Sequence, residues 1–312
     1  MAVLEDVTSP PATGLRPRGV SGREKWQRRL PLLPALIYTI IVTQVPFLVT
    51  LWYSFQSYFW NEPGGAHWTG ISNYKEVFKD PSFRSALWRS VTMTAIAVIV
   101  AMLLGIALAL LLDKKFFGRG VVRTLIITPF LVMPAAAALV WAGPMLDPSF
   151  GLLNWLLEPF GVNHVAWLTT HAYGSVIVVM IWQWTPFMTL IVLAGLQGQA
   201  QDTLEAAKVD GANAWATFRE LTLPHLRPYI ELGVLLGSIY LVTAFDQVKL
   251  MTNGGPGTTT TTLPFYLYQK VNFAFDIGGA AAAGVVTVIL TIIVASFALR
   301  LFASVFQFEE AK

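Results

Sequence analysis

Residues 205–224 read EAAKVDGANAWATFRELTLP. This polar, helix-forming stretch lies between two long apolar segments, and its reading decides the fold. Asp202 stands three residues before Glu205, the spacing of a capping box. Asp202 would accept from free backbone N–H groups and Glu205 would reach back. Leu204 to Asp210 then makes a short helix. Gly211 follows, where a helix exits through a left-handed residue that glycine adopts cheaply. Asn213 is placed to cap a second helix with Trp215, Phe218 and Leu221 three apart on nearly one face. Pro224 ends it. The expectation is a helix-turn-helix knuckle, residues 202–224, too short to span a bilayer. On helical pattern alone, an ordinary inter-helix loop fits as well.

Composition sets the surroundings. Of the 312 residues, 55% are hydrophobic and 12% charged, which excludes a soluble globular domain. Apolar runs of roughly 20 residues, enough to cross a bilayer core, recur along the chain. There is no cysteine, so disulfide and thiol chemistry are excluded. The net charge of +3 is no nucleic-acid signature. The N-terminus is polar and Pro-rich, and no cleavable signal peptide is expected.

Six apolar segments are predicted, near residues 30–55, 87–112, 121–141, 173–196, 229–248 and 280–302. Residues 1–29 read as a cytoplasmic tail with a basic collar of Arg23, Lys25, Arg28 and Arg29, residues 30–303 as the membrane domain, and 304–312 as a second tail. Pro46 is expected to kink segment one and Pro129 and Pro134 to break segment three, and Pro186 lies inside segment four. Trp52, Tyr53, Tyr58 and Trp60 form an aromatic belt at the far interface. Six crossings put both ends on one side. On that side lie six Lys/Arg in the first tail, four in the loop DKKFFGRGVVR, three around the knuckle and two at the C-terminus; the other side holds six. The positive-inside rule therefore makes both termini and the knuckle cytoplasmic.

The spacing Glu-Ala-Ala, three residues, Gly211, nine residues, Leu221-Thr222-Leu223-Pro224 resembles the EAA loop of permease subunits of ABC importers. GISNYKEVFKDPSFRSAL, FGRGVVRTLIITPFLVMP and MTNGGPG resemble the carbohydrate-uptake branch of that family. Together the resemblance covers about Arg28 to Phe302. The stretches RRLPLLPALIYTIIVTQVPFLVTLWYSF and FDIGGAAAAGVVTVILTIIVASFALRLF look most like permeases for sorbitol, mannitol and similar polyols. One departure is Leu221, where the family has Ile. The resemblance implies an all-α membrane protein of the MetI-like type with six transmembrane helices, in a bacterial cytoplasmic membrane. It implies a second homologous permease subunit, two ATPase subunits beneath the knuckle and an extracytoplasmic solute-binding protein. ATP and Mg belong to the ATPase. Consistently, the chain has no G-x-x-x-x-G-K-[ST] loop and is expected to bind no cofactor or metal and to catalyse no reaction itself.

The resemblance assigns Glu205, Ala206, Ala207, Gly211, Leu204 and Trp215 to coupling. A carboxylate on an exposed knuckle can pair with a cation of the ATPase, and small residues allow close approach. Leu204, Val209, Trp215 and Phe218 either fill the ATPase cleft or pack under the membrane helices. Counting from Glu205 by the family's spacing, sugar-lining positions fall on Gln183, Trp184 and Phe187, and on Gly237, Leu241 and Ala244, with Tyr240 and Thr243 on neighbouring faces. Aromatic faces stack on sugar C–H groups, and Gln183 can donate to and accept from hydroxyls. Trp182 and Trp184, two apart, cannot both face the pore. Asp246 is either a gate contact or a wetted helix end. Thr258 to Thr262 reads as a solvated loop. His67, His164, His171 and His225 share no metal-ligand spacing.

Other functions fit less well. A secondary transporter needs internal repeats or buried ionisable groups. A cation channel needs a recognisable filter. An intramembrane enzyme needs a nucleophile and a base. Within importers, the alternative to a polyol is a disaccharide or a glycerol-phosphate ester.

Overall fold

A computed structural model describes residues 30–162 and 164–310; the expected N-terminal tail and its basic collar lie outside them. The chain divides into two compact units, residues 1–49 and 50–312. The described part of the first is a short 3-10 turn, Leu30–Leu32, and most of α1 (Leu33–Ser54), an apolar helix that Pro46 does not interrupt.

The second unit is helical apart from a two-residue ribbon, β1 (Gln56–Ser57) against β2 (His67–Trp68). After α2 (Ser72–Lys79), Asp80 caps α3 (Pro81–Asp113) by accepting from the Ser82 N–H at 2.8 Å, with Pro81 in the first turn. The cap starts this helix six residues earlier than its apolar run predicts. At 33 residues α3 is about 50 Å long, well beyond a bilayer core of about 30 Å. It packs along α8 (Ala172–Gln197) to make the centre of the core. Met93, Val98, Met180, Met188 and Val192 are fully or almost fully buried there.

The third and fifth apolar segments are both broken. The third is α4 (Arg119–Leu131) and α5 (Pro134–Val140), the latter continued by a π turn to Met145. The two halves meet at 100°. Pro134 cannot donate and disfavours helical backbone at Met133, so the chain turns there. After α6 (Leu152–Leu157) and α7 (Trp167–Thr170), α8 runs unbroken through Pro186. The fifth segment, expected at 229–248, starts earlier and breaks before its end. It is α11 (Leu223–Val242), a three-residue break, and α12 (Asp246–Met251). The broken halves α5 and α12 pack against each other.

Among the described residues four helices are long and apolar enough to cross a membrane, five with the bent pair. The fifth expected span, α11, falls short because His225, Arg227 and Glu231 fill its first turns. The segment closes with α13 (Leu263–Asn272) and α14 (Ile277–Glu310), which continues past the expected end at Phe302.

Candidate functional site

The knuckle forms as two helices joined by Gly211. These are α9 (Gln201–Val209) and α10 (Ala214–Thr217). Gly211 has φ 81°, the left-handed exit its position requires. The Asn213 side chain accepts from the Ala216 N–H at 2.8 Å, the expected cap. Two expectations fail. The capping box is absent: the cap of α9 falls two residues earlier, at Ala200, so Asp202 lies inside the first turn. Its charge there still favours the free N–H groups. Pro224 does not end the second helix either. A π turn, Phe218–Thr222, carries the chain directly into α11. The wider turn absorbs the missing proline N–H.

The knuckle is bare. Glu205, Ala206, Lys208, Asp210 and Gly211 are exposed, and Leu204 and Ala207 half-exposed. Val209 is 87% and Trp215 70% exposed, so neither packs under the membrane helices. Trp215 touches Phe218, ring centroids 5.9 Å apart.

The second site lies where the broken segments meet α8. Phe130 of α4 stacks on Phe187 at 5.1 Å, and Trp184 closes the group at 5.7 Å from Phe130 and 5.4 Å from Phe187. Tyr240 of α11 lies 5.5 Å from Trp184 and is 60% exposed. Three of the four were legible in the sequence. Phe130 was missed because it belongs to an apolar run; its place two residues before the break was the available signal. Trp182 faces the other way, onto Trp141 at 5.5 Å, so of the two tryptophans only Trp184 joins the cluster.

Gln183 departs from its expected role. It is 3% exposed, accepts from the Gln247 Nε2–H at 2.8 Å and donates to the Val132 carbonyl at 2.9 Å. Val132 is at the bend of the third segment and Gln247 opens α12, so the amide ties both breaks to α8. Within an apolar core such a relay satisfies groups that would otherwise be costly. Leu241 and Gly237 also turn inward: Leu241 is 3% exposed within the core, and Gly237 packs on Met188 and Val98. Ala244 is half-buried against the same core. Thr243 donates to its own helix, at 2.9 Å from the Tyr240 carbonyl. Asp246 is a half-buried first residue of α12.

At the end of α11 and α12 away from the knuckle, the threonine run is solvated only at Thr258 and Thr259. Thr260, Thr261 and Thr262 are at most 3% exposed. Thr260 pairs with Thr252 at 2.6 Å and donates to the Gly255 carbonyl; Thr261 donates to the Gly254 carbonyl at 3.1 Å. The loop is a plug seated on Phe265, held by its own hydroxyls. Beside it, the Tyr266 hydroxyl donates to Asp80 at 2.6 Å. Burial works to raise the Asp80 carboxyl, but the Tyr266 and Ser82 hydrogen bonds and the positive Lys270 outweigh it and hold the carboxyl below its usual value. Burial first, then the bond to Asp80, pushes the Tyr266 phenol well up. No group of three potential metal ligands occurs among the described residues.

A family model described as "binding-protein-dependent transport system inner membrane component" matches residues 101–306. The chain is 39% identical over 266 residues to the probable ABC transporter permease protein y4oQ of Sinorhizobium fredii, covering 85% of this chain and 86% of that one. It is 32% identical to the trehalose/maltose transport system permease protein MalF of Thermococcus litoralis, covering 84% and 89%. A solved bacterial alginate ABC transporter, in complex with an alginate pentasaccharide-bound periplasmic protein, superposes with a TM-score of 0.76 at 22% identity, over 91% of this chain and 96% of that one, a likeness of fold. The match to the family model, over most of the chain, and the identity to these permeases place the chain in the family of binding-protein-dependent transport system inner membrane components, the permease subunits of ABC transporters.

Proposed function

We propose that this chain is one half of the membrane pore of an ATP-driven importer for a carbohydrate, and that the knuckle couples it to a separate ATPase. The observation that carries the reading is the aromatic cluster Phe130, Trp184, Phe187 and Tyr240, placed where two broken helices meet. Flat aromatic faces suit the C–H faces of sugars. The break in each helix gives the cluster two elements able to move against α8. The 32% identity to a trehalose/maltose permease favours a disaccharide. The polyol expected from the terminal stretches draws no support from that relative's name and stays as the competing substrate. The cluster brings no cation of its own, which disfavours a phosphorylated substrate.

In this reading a solute-binding protein and a second permease complete the pore, in a bacterial cytoplasmic membrane with both termini inside. Glu205 meets a cation of the ATPase, and Trp215 with Val209 fills an apolar cleft there. Closure of the ATPase dimer on ATP moves the knuckle. Because the π turn makes the knuckle continuous with α11, that motion reaches Tyr240 along one helix. The cavity then opens outward and resets on hydrolysis. A ligand drives such a cycle only through different affinities for the two states, so the cavity binds weakly.

The test is ATP hydrolysis by the reconstituted importer when its binding protein is given trehalose, maltose, mannitol, sorbitol or glycerol phosphate. Stimulation by a disaccharide, lowered at least tenfold by Trp184→Ala, supports the reading. Stimulation by a polyol replaces the substrate and keeps the machine. No stimulation by any carbohydrate overturns it.

A further inference from the structure

Outside the aromatic cluster, two apolar hollows run into each other on the opposite side of α8. The first, of about 530 Å³, is walled by Val100, Leu104 and Leu108 of α3, Ile126 of α4, and the Trp141–Trp182 pair. The second, of about 440 Å³, continues between α3 and α4 and ends at Lys114 and Lys115. Leu108 and Ile126 line both, so the two form one groove with an apolar floor and a cationic end.

We propose that this groove is a binding site for an anionic phospholipid, with one acyl chain between α3 and α4 and the phosphate at the cations. Three observations meet here. The first is length. From Val100 to Lys114 the α3 axis advances about 21 Å, slightly more than the roughly 15 Å of hydrocarbon in one leaflet. One acyl chain reaches from headgroup level to the bilayer middle along it.

The second is chemistry. The groove is apolar over its length and changes to Lys114 and Lys115 only at the end of α3, where the helix leaves its apolar run. A neighbouring protein helix would satisfy the apolar floor and leave the cations without an anion; a phospholipid satisfies both.

The third is Arg119 and Arg123. They lie one turn apart on the stripe of α4 that also carries Val122 and Ile126, which line the groove. Both are half-buried, and the Nε of each has no hydrogen-bond partner among the described residues. A guanidinium Nε–H that is shielded from water and unmatched by a protein acceptor is matched by a phosphate oxygen. Four cations within ten residues at a membrane boundary form a strong anionic-headgroup signal.

Native mass spectrometry of the assembled importer, released from bilayers of phosphatidylglycerol and phosphatidylcholine with the same acyl chains, tests the site. Phosphatidylglycerol is expected to stay bound at least about tenfold more than phosphatidylcholine. The four cations together carry this preference, so Lys114→Gln with Lys115→Gln, Arg119→Gln and Arg123→Gln should bring it down to the phosphatidylcholine level. Leu108→Trp, which fills the groove where the two hollows join, should expel both lipids while the subunits stay together. Equal retention of the two lipids overturns the proposal. So does undiminished phosphatidylglycerol in the fourfold variant, or lipid bound to the chain alone and absent from the assembly, which would give the groove to a neighbouring helix.

Discussion

The knuckle and the threonine plug are both polar stretches joining helices, and their side chains are disposed in opposite ways. The knuckle exposes its large apolar groups, Val209 at 87% and Trp215 at 70%. The plug buries its polar ones, Thr260 to Thr262, at no more than 3%. The knuckle's backbone is satisfied within two short helices, so Val209 and Trp215 stand clear of the core. The plug has no helix, so the hydroxyls of Thr260 and Thr261 are spent on its own carbonyls at Gly255 and Gly254. Polarity alone does not separate such regions; where the backbone groups find partners does.

Two glycines with nearly the same backbone angle break this contrast most sharply. Gly254 has φ 83° and Gly211 φ 81°. A Cβ on Gly254 would run into the Phe265 ring and meet the Thr261 hydroxyl, whereas one on Gly211 meets nothing within 4 Å. Gly254→Ala should cost about 2–4 kcal/mol, left-handed strain plus overpacking. Gly211→Ala should cost about 1 kcal/mol, the strain alone. Thermal unfolding of the purified chain checks both, and equal losses would show that the plug is looser than described.

Next in size is the amide relay. Gln183→Leu leaves the Val132 carbonyl and the Gln247 amide without partners inside the core, for about 1–3 kcal/mol. Gln247→Leu alone should cost a similar amount, and the double variant less than the sum. Strict additivity would mean that the relay does not join α8 to the two breaks.

The smallest effect sharpens the plug end. Asp80 has a lowered carboxyl, so the stability it adds is fully present above the usual carboxylate range and is lost as pH falls through its lowered value. Tyr266→Phe removes its hydrogen bond and should cost about 1 kcal/mol near neutral pH, the low end because Asp80 is partly wetted. That cost should shrink in acid, once the carboxyl is protonated in both proteins. A pH-independent cost would assign Tyr266 to packing.

Much of this was legible in the residues. The left-handed Gly211 and the Asn213 cap follow from local chemistry, a helix exit and a side-chain acceptor, whereas Trp184, Phe187 and Tyr240 were reached only by counting from Glu205 with the family's spacing. What was not legible depends on distant partners. Nothing near Gln183 says that Val132, 51 residues away, leaves a carbonyl for it. The threonine run looks like a linker until Ser90, from α3, is seen accepting the Leu263 N–H at 2.8 Å. Pro224 looks like a stop because proline lacks an N–H, and only the π turn before it shows how a helix passes through.

The central claim is that the bare knuckle is a docking surface and not an unfinished piece of the core. The most direct measurement is co-purification of the ATPase with the permease carrying Glu205→Lys and Trp215→Ala. Loss of an exposed tryptophan anchor with charge reversal beside it should weaken the complex at least about 30-fold. The permease should keep its wild-type melting temperature, since neither side chain is buried. Full retention of the ATPase by this variant, or loss of the permease fold itself, would contradict the account.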